Sequence, residues 1–168
     1  MINWQFYPKS ENTSADLLEI VAIFKAHEES MGSLTNKLHS DKACMIIHED
    51  LVRLGFQVEK NKKQESKIQV PVLFGKNGKL EKYFEADAYH KEKKIVLEVE
   101  AGRGVTNYQF LKDLFQACLM QGVDYLVIAI RNKYRTSSDF EKVLIFFDSL
   151  YASDRLKLPL KGILVIGY

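Results

Sequence analysis

The sequence predicts an α/β fold with a mixed central β-sheet flanked by helices on both faces, and three observations predict it. Residues 83–89 and 94–100 each alternate polar with apolar side chains at the period of a strand, with only the polar Lys91-Glu92-Lys93 near the join. Residues 125–130, Tyr-Leu-Val-Ile-Ala-Ile, form an unbroken apolar run of strand length, the pattern of a strand buried on both faces. Amphipathic helical patterns precede and follow these strands, so helices are available to cover both sides of the sheet. With 168 residues, 46% of them hydrophobic, the chain can build one substantial core and is too short for two ordinary ones. A single domain over residues 1–168 is expected.

The elements follow in order. After the aromatic strip around Trp4, Phe6 and Tyr7, Thr13 or Ser14 can cap a helix with Leu17, Val21 and Phe24 on one face, ending before Gly32. A second helix runs from Thr35 or Ser40 through Ala43, Ile47, Leu51 and Leu54, and Gly55 is a natural stop. Residues 56–60 and 68–74 read as short strands, and Gly75-Lys76-Asn77-Gly78 supplies a turn into the first alternating strand. Beyond Glu100, Gly102 and Gly104 permit a sharp turn. Thr106 and Gln109 then form a capping-box pattern for a helix whose stripe Phe110, Leu111, Leu114, Phe115, Cys118 and Leu119 should face inward, with Gly122 as its end. Ser138 and Glu141 open a further helix, and residues 163–166 close the chain as a strand.

The two alternating strands carry the chemistry. If Glu92-Lys93 is a two-residue turn, Tyr89 pairs with Val96, Asp87 with Glu98 and Glu85 with Glu100, all on one face, while Phe84, Ala86, Ala88, Ile95, Leu97 and Val99 form the apolar opposite face. Opposed carboxylates repel by roughly 1 kcal/mol at 4 Å in water and about 4 kcal/mol at a protein surface. Two readings follow: a solvated outer face, or a site for a hard divalent cation with oxygen ligands.

Bulk properties narrow the partners. A formal net charge of +2 with 27% charged residues gives no strong field, although basic residues cluster at 60–67, 76–82 and 131–135. Such clusters suit either solvated loops or a phosphate backbone. Cys44 and Cys118 give neither a zinc spacing nor a disulfide framework, and His27, His39, His48 and His90 are scattered. A reducing, cytoplasmic setting is expected, with no membrane span and no signal peptide.

The order of helix, three strands, crossover helix and buried strand, with Asp87 on one strand and Glu98-x-Glu100 on the next, resembles the PD-(D/E)XK nuclease superfamily, and in particular type II restriction endonucleases with a Glu-x-Glu third strand. The resemblance covers about residues 35–130 and implies a restriction-endonuclease-like core. It implies a magnesium-dependent deoxyribonuclease acting on double-stranded DNA, with Mn²⁺ a possible substitute. Asp87 and Glu98 would be metal ligands, Glu49 on the preceding helix a third, and Glu100 would stand where lysine is commoner. Tyr108, Lys112 and Gln116 lie along one edge of the crossover helix, and Lys112 is the candidate to restore the missing positive charge. Arg103, Gln116, Arg131, Lys133 and Arg135 are candidate nucleic-acid contacts, and the aromatic N-terminal strip is a further candidate for reading bases. Symmetric cleavage of both strands would suit a homodimer. The alternative is a catalytically silent relative that binds nucleic acid or a partner protein, motivated by Glu100.

Overall fold

The computed structural model describes residues 1–59, 66–102 and 104–168. Its elements are β1 (Asn3–Tyr7), α1 (Ala15–Ala26), α2 (Glu28–Met31), α3 (Ser40–Arg53), β2 (Gln57–Val58), β3 (Ile68–Phe74), β4 (Leu80–Ala86), β5 (Ala88–His90), β6 (Ile95–Glu100), α4 (Gln109–Leu119), β7 (Tyr125–Ile130), α5 (Asp139–Ser153) and β8 (Gly162–Gly167). The described residues form a six-stranded sheet in the order β1-β8-β7-β6-β5-β2 and a separate ribbon of β3 with β4. Within the large sheet β6, β7 and β8 run parallel, while β1, β5 and β2 pair antiparallel, so the sheet is mixed as expected.

Strand alternation sorts the core into two halves. Ile95, Leu97 and Val99 of β6, with Val127 and Ala129 of β7, meet Leu17, Ile20 and Phe24 of α1 and Ile47 and Leu51 of α3. On the other face Val96, Leu126, Ile128 and Ile130 meet Phe110, Leu114 and Ala117 of α4 and Phe140, Val143 and Phe147 of α5. Each of the Val, Leu, Ile and Phe side chains among them, when fully buried, contributes roughly 1.5–3 kcal/mol. Local signals set the helix ends. The Ser14 hydroxyl accepts a hydrogen bond from Leu17 N at 3.4 Å, capping α1. After α3, Gly55 sits at φ 95°, where a Cβ would come within 2.9 Å of His90 Nε2, so glycine is required there twice over.

Three expectations are corrected. Residues 83–89 do not make one strand. The chain breaks at Asp87: β4 leaves the large sheet and pairs along its length with β3, while β5 starts at Ala88. The local hairpin closed around Asn77 (φ 59°) takes up β4 from Leu80 to Ala86. Tyr89 does pair with Val96, but Glu85 faces Gln69 and not Glu100.

The aromatic N-terminal strip is β1, paired with β8, and Phe6 and Tyr7 are buried. Tyr7 donates its hydroxyl to Asp148 Oδ1 at 2.8 Å, so Phe6 and Tyr7 serve the core, while Trp4 stays partly exposed. Finally, α4 starts at Gln109, Tyr108 precedes it in a left-handed conformation (φ 50°), and no side chain caps it. The buried face of α4 is Phe110, Asp113, Leu114 and Ala117, leaving Phe115 66% and Leu119 43% exposed. The helix is thus rotated from the expected stripe, and the rotation turns an aspartate inward.

Candidate active site

The site lies where β6 ends beneath α4. Period-2 alternation places Glu98 and Glu100 on the same face as Val96, opposite Ile128 and Ile130 of β7. That face is roofed by α4, so the two carboxylates enter a covered space and not bulk water. Asp87 reaches the same space from the strand break. Its Oδ2 accepts a hydrogen bond from Val99 N at 2.8 Å, two residues past the last β6 residue paired with β5. The side chain thereby supplies an acceptor where the ladder lacks a strand carbonyl, and its carboxylate is fixed against β6.

The resulting cavity, about 490 Å³, is lined by Asp87, Glu98, Glu100 and Asp113 together with Glu59, Lys67, Gln109, Lys112 and Gln116, and by Ser40 and Asp41 from the start of α3. Glu59 N donates to the Asp87 carbonyl at 2.8 Å, bringing the Glu59 side chain beside the acids. Lys67 Nζ stands 2.9 Å from Glu59 Oε1 and 3.6 Å from Glu85 Oε2. Gln109 Nε2 donates to Asp113 Oδ1 at 3.5 Å, while Asp113 Oδ2 is buried with no hydrogen-bond partner among the described residues.

Burial is the first cause of the unusual acidities here, and mutual repulsion the second. Asp87 is pushed up to about 6 by burial, with the Val99 hydrogen bond opposing and Glu59 adding to the rise. Glu98 rises well above the ordinary glutamate range through burial and then the charges of Asp87, Asp113 and Glu100, with Lys112 opposing. Glu100 is pushed up to about 8 by burial, the charge of Asp113 and a hydrogen bond with it. Asp113 reaches about 6 through burial, against the lowering effects of Lys112 and of the hydrogen bond with Glu100. Two carboxyls can share a hydrogen bond only by sharing a proton, so Glu100 and Asp113 titrate as a pair. Burial works against the charge of Lys67, but Glu59, then Glu85 and Asp87, hold its pKa above the ordinary lysine value.

The structure therefore brings Asp87, Glu98, Glu100, Lys112 and Gln116 together. It does not bring Glu49 to them. That side chain is 84% exposed, lies 3.6 Å from Arg53 and is not in the cavity wall, because the wall takes Ser40, Asp41, Cys44 and Met45 from the start of α3 and Glu49 lies about a turn beyond them. Tyr108 is 65% exposed and also outside the wall. Arg103 lies outside the described residues, as do all but Ser66 and Lys67 of the basic cluster at 60–67. Arg131, Lys133 and Arg135 line a second cavity of about 1000 Å³, which shares Ser40, Glu100 and Gln109 with the first.

Sequence reasoning missed Asp113, Glu59 and Lys67. Asp113 had a signal: it stands three residues after Phe110 and four before Ala117, on the face those two residues bury. Glu59 and Lys67 had none, since both arrive through long-range pairing.

The acids' donor atoms are all oxygens, their charges repel, and one buried oxygen lacks a partner. This set fits a hard divalent cation such as Mg²⁺. Among the described residues no three His, Cys, Asp or Glu side chains are grouped as a ready-made metal cage. Mg²⁺ commonly binds through one or two carboxylates and completes its shell with water and substrate phosphates, so a full cage is not required. No helix among the described residues is long and apolar enough to cross a membrane.

No protein-family model matches the chain, and no curated protein is similar to it. It is similar to the crystal structure of free BglII, with 12% sequence identity, 99% of this chain and 78% of that one covered, and a TM-score of 0.49. A likeness of this size carries no argument about activity.

Proposed function

We propose that the protein is a metal-dependent endonuclease that hydrolyses phosphodiester bonds of double-stranded DNA, as the Asp87 and Glu98-x-Glu100 pattern implies by resemblance to type II restriction enzymes. The observation that carries the reading is the convergence of Asp87, Glu98, Glu100 and Asp113 in one cavity, all with raised pKa values, beside Lys112. Strongly perturbed carboxylates clustered in a cleft are a costly arrangement that a function can explain.

Asp87 and Glu98 would hold Mg²⁺, or Mn²⁺ in its place. The bound ion would supply charge neutralisation at the scissile phosphate and a lowered pKa for an attacking water. The remaining work belongs to the chain. Val99 N fixes the Asp87 carboxylate, so a ligand is held in place before any substrate arrives. Glu100 lies in the same wall and would stand beside the attacking water to orient it. Lys112 lies in the wall with Glu98 and Glu100 and would offer a positive charge to the phosphoryl oxygens on which negative charge develops. Lys67 and Lys112 both line the cavity, which favours the nuclease reading over the catalytically silent one that the missing strand lysine motivates. Cutting both strands symmetrically would take two copies related by a two-fold axis.

The test is cleavage of duplex DNA in Mg²⁺ or Mn²⁺ by the wild type and by Asp87→Ala and Glu98→Ala, each purified in parallel. Both variants are expected to lose activity, and undiminished cleavage by either sinks the assignment.

A further inference from the structure

The second cavity adjoins the acids but has the opposite charge. Lys37, Arg131, Lys133 and Arg135 line it, with Glu100 its only carboxylate side chain among the described residues. Arg131 is the unusual member, because it is only 8% exposed. A buried guanidinium is expensive unless it is paired with an anion and its donors are satisfied. Arg131 donates to the Leu38 carbonyl and lies near the Tyr168 hydroxyl, whose pKa its charge lowers, yet it has no carboxylate partner among the described residues and its buried Nε has no partner there at all. The position of Arg131 relative to the acids is also fixed. Tyr168 donates its hydroxyl to the Glu100 carbonyl at 3.1 Å, joining the arginine to the acidic strand through one side chain.

Tyr134 decides what the cavity reads. The guanidinium of Arg131 lies 5.5 Å from its ring centroid and that of Arg135 lies 5.4 Å from it, so the ring is engaged by two cations. Its other contact is with Gly102, where a Cβ would come within 2.6 Å of the ring, so the ring is pressed against the backbone that follows β6. The cavity thus offers chiefly positive charge, from Arg131 with Lys37, Lys133 and Arg135. Contacts of that kind position a nucleic acid without specifying its sequence.

We infer that this cavity is a backbone-reading subsite, in which Arg131, with Lys133 and Arg135, holds a DNA phosphate adjacent to the one cut at the acids. The inference rests on the nuclease reading of the acidic cavity. The phosphate would give the Arg131 guanidinium its missing anion, and Glu100 and Gln109, which line both cavities, would lie between neighbouring phosphates of one strand.

The test measures binding of two labelled duplexes of unrelated sequence, with Ca²⁺ replacing Mg²⁺, from about 50 to 200 mM salt. Arg131→Gln is expected to weaken both duplexes about equally and to make the slope of log affinity against log salt shallower by about 1. An unchanged slope, or a loss confined to one sequence, overturns the inference. If Arg131→Gln does not fold, the exposed pair Lys133→Gln/Arg135→Gln decides: a shallower slope supports the subsite and an unchanged slope overturns it. A wild type that binds neither duplex overturns it as well. The outcome for the acids is separate. A wild type that binds but never cuts, with the basic variants still shallower, removes the nuclease reading and leaves a DNA-backbone site.

Discussion

Strands β6 and β7 are parallel neighbours in register, yet at matched positions one carries Glu98 and Glu100 and the other Ile128 and Ile130. Both pairs face the α4 side of the sheet. The isoleucines are wholly buried and join the core with Val96 and Phe110, whereas the glutamates open that core into a cavity and draw in Asp113 and Lys112. The same backbone frame therefore supports packing on one strand and chemistry on the next. The acids are held there against their own repulsion, at a cost in stability.

Exchanging the two strands' roles should have the largest effect. Ile128→Glu puts an unpaired carboxylate into a fully buried apolar position, and a loss of at least about 3 kcal/mol is expected, lowering the melting temperature on the order of 10 °C. A melt within a few degrees of wild type would mean that the two strands are not so different. The opposite change should sharpen the contrast. Glu98→Gln keeps the shape but removes the charge, so the metal-free protein should melt higher at pH 8 while DNA cleavage falls by about 10²-fold or more. Unchanged melting would show that the repulsion inferred at Glu98 is not felt.

The contrast should also depend on pH. A carboxyl whose pKa is raised on folding keeps its proton where the unfolded chain has lost it, so the folded state binds more protons and stability falls as pH rises. The unfolded carboxyls titrate near about 4. With Asp87 and Asp113 near 6 and Glu100 near 8, the metal-free protein should lose melting temperature from pH 5 to pH 8. Mg²⁺ or Mn²⁺ should restore it most at the upper end. A flat profile, followed by scanning calorimetry, would remove the basis for the raised acidities. The smallest effect belongs to Glu49→Ala: it lies outside the cavity, and both stability, within about 0.5 kcal/mol, and cleavage should match wild type.

What the sequence made legible follows the same divide. The apolar run of β7 and the alternation of β6 are local patterns, and both elements fell where periodicity put them. Glu98, Glu100 and Lys112 share the cavity wall because alternation and helical spacing fix their faces. The break at Asp87 was not legible, since residues 83–89 alternate without interruption and only competition with β3 divides them. The inward turn of Asp113 was hidden by Phe115 and Leu119, two apolar residues that tertiary packing leaves exposed. Glu49 was proposed from its helix, but one residue's place along α3 depends on which turns reach the cavity, and residues 40–45 do.

Calorimetric titration of the wild type and of Asp87→Ala with Mn²⁺ at pH 8 tests the central claim most directly. The wild type should bind the ion at the acids and release protons to the buffer as it does so, because carboxyls with raised pKa values must ionise to bind it. Asp87→Ala should show neither the binding heat nor the proton release. Equal titration curves for the two proteins would contradict the assignment of Asp87 and the end of β6 as a metal-binding active site.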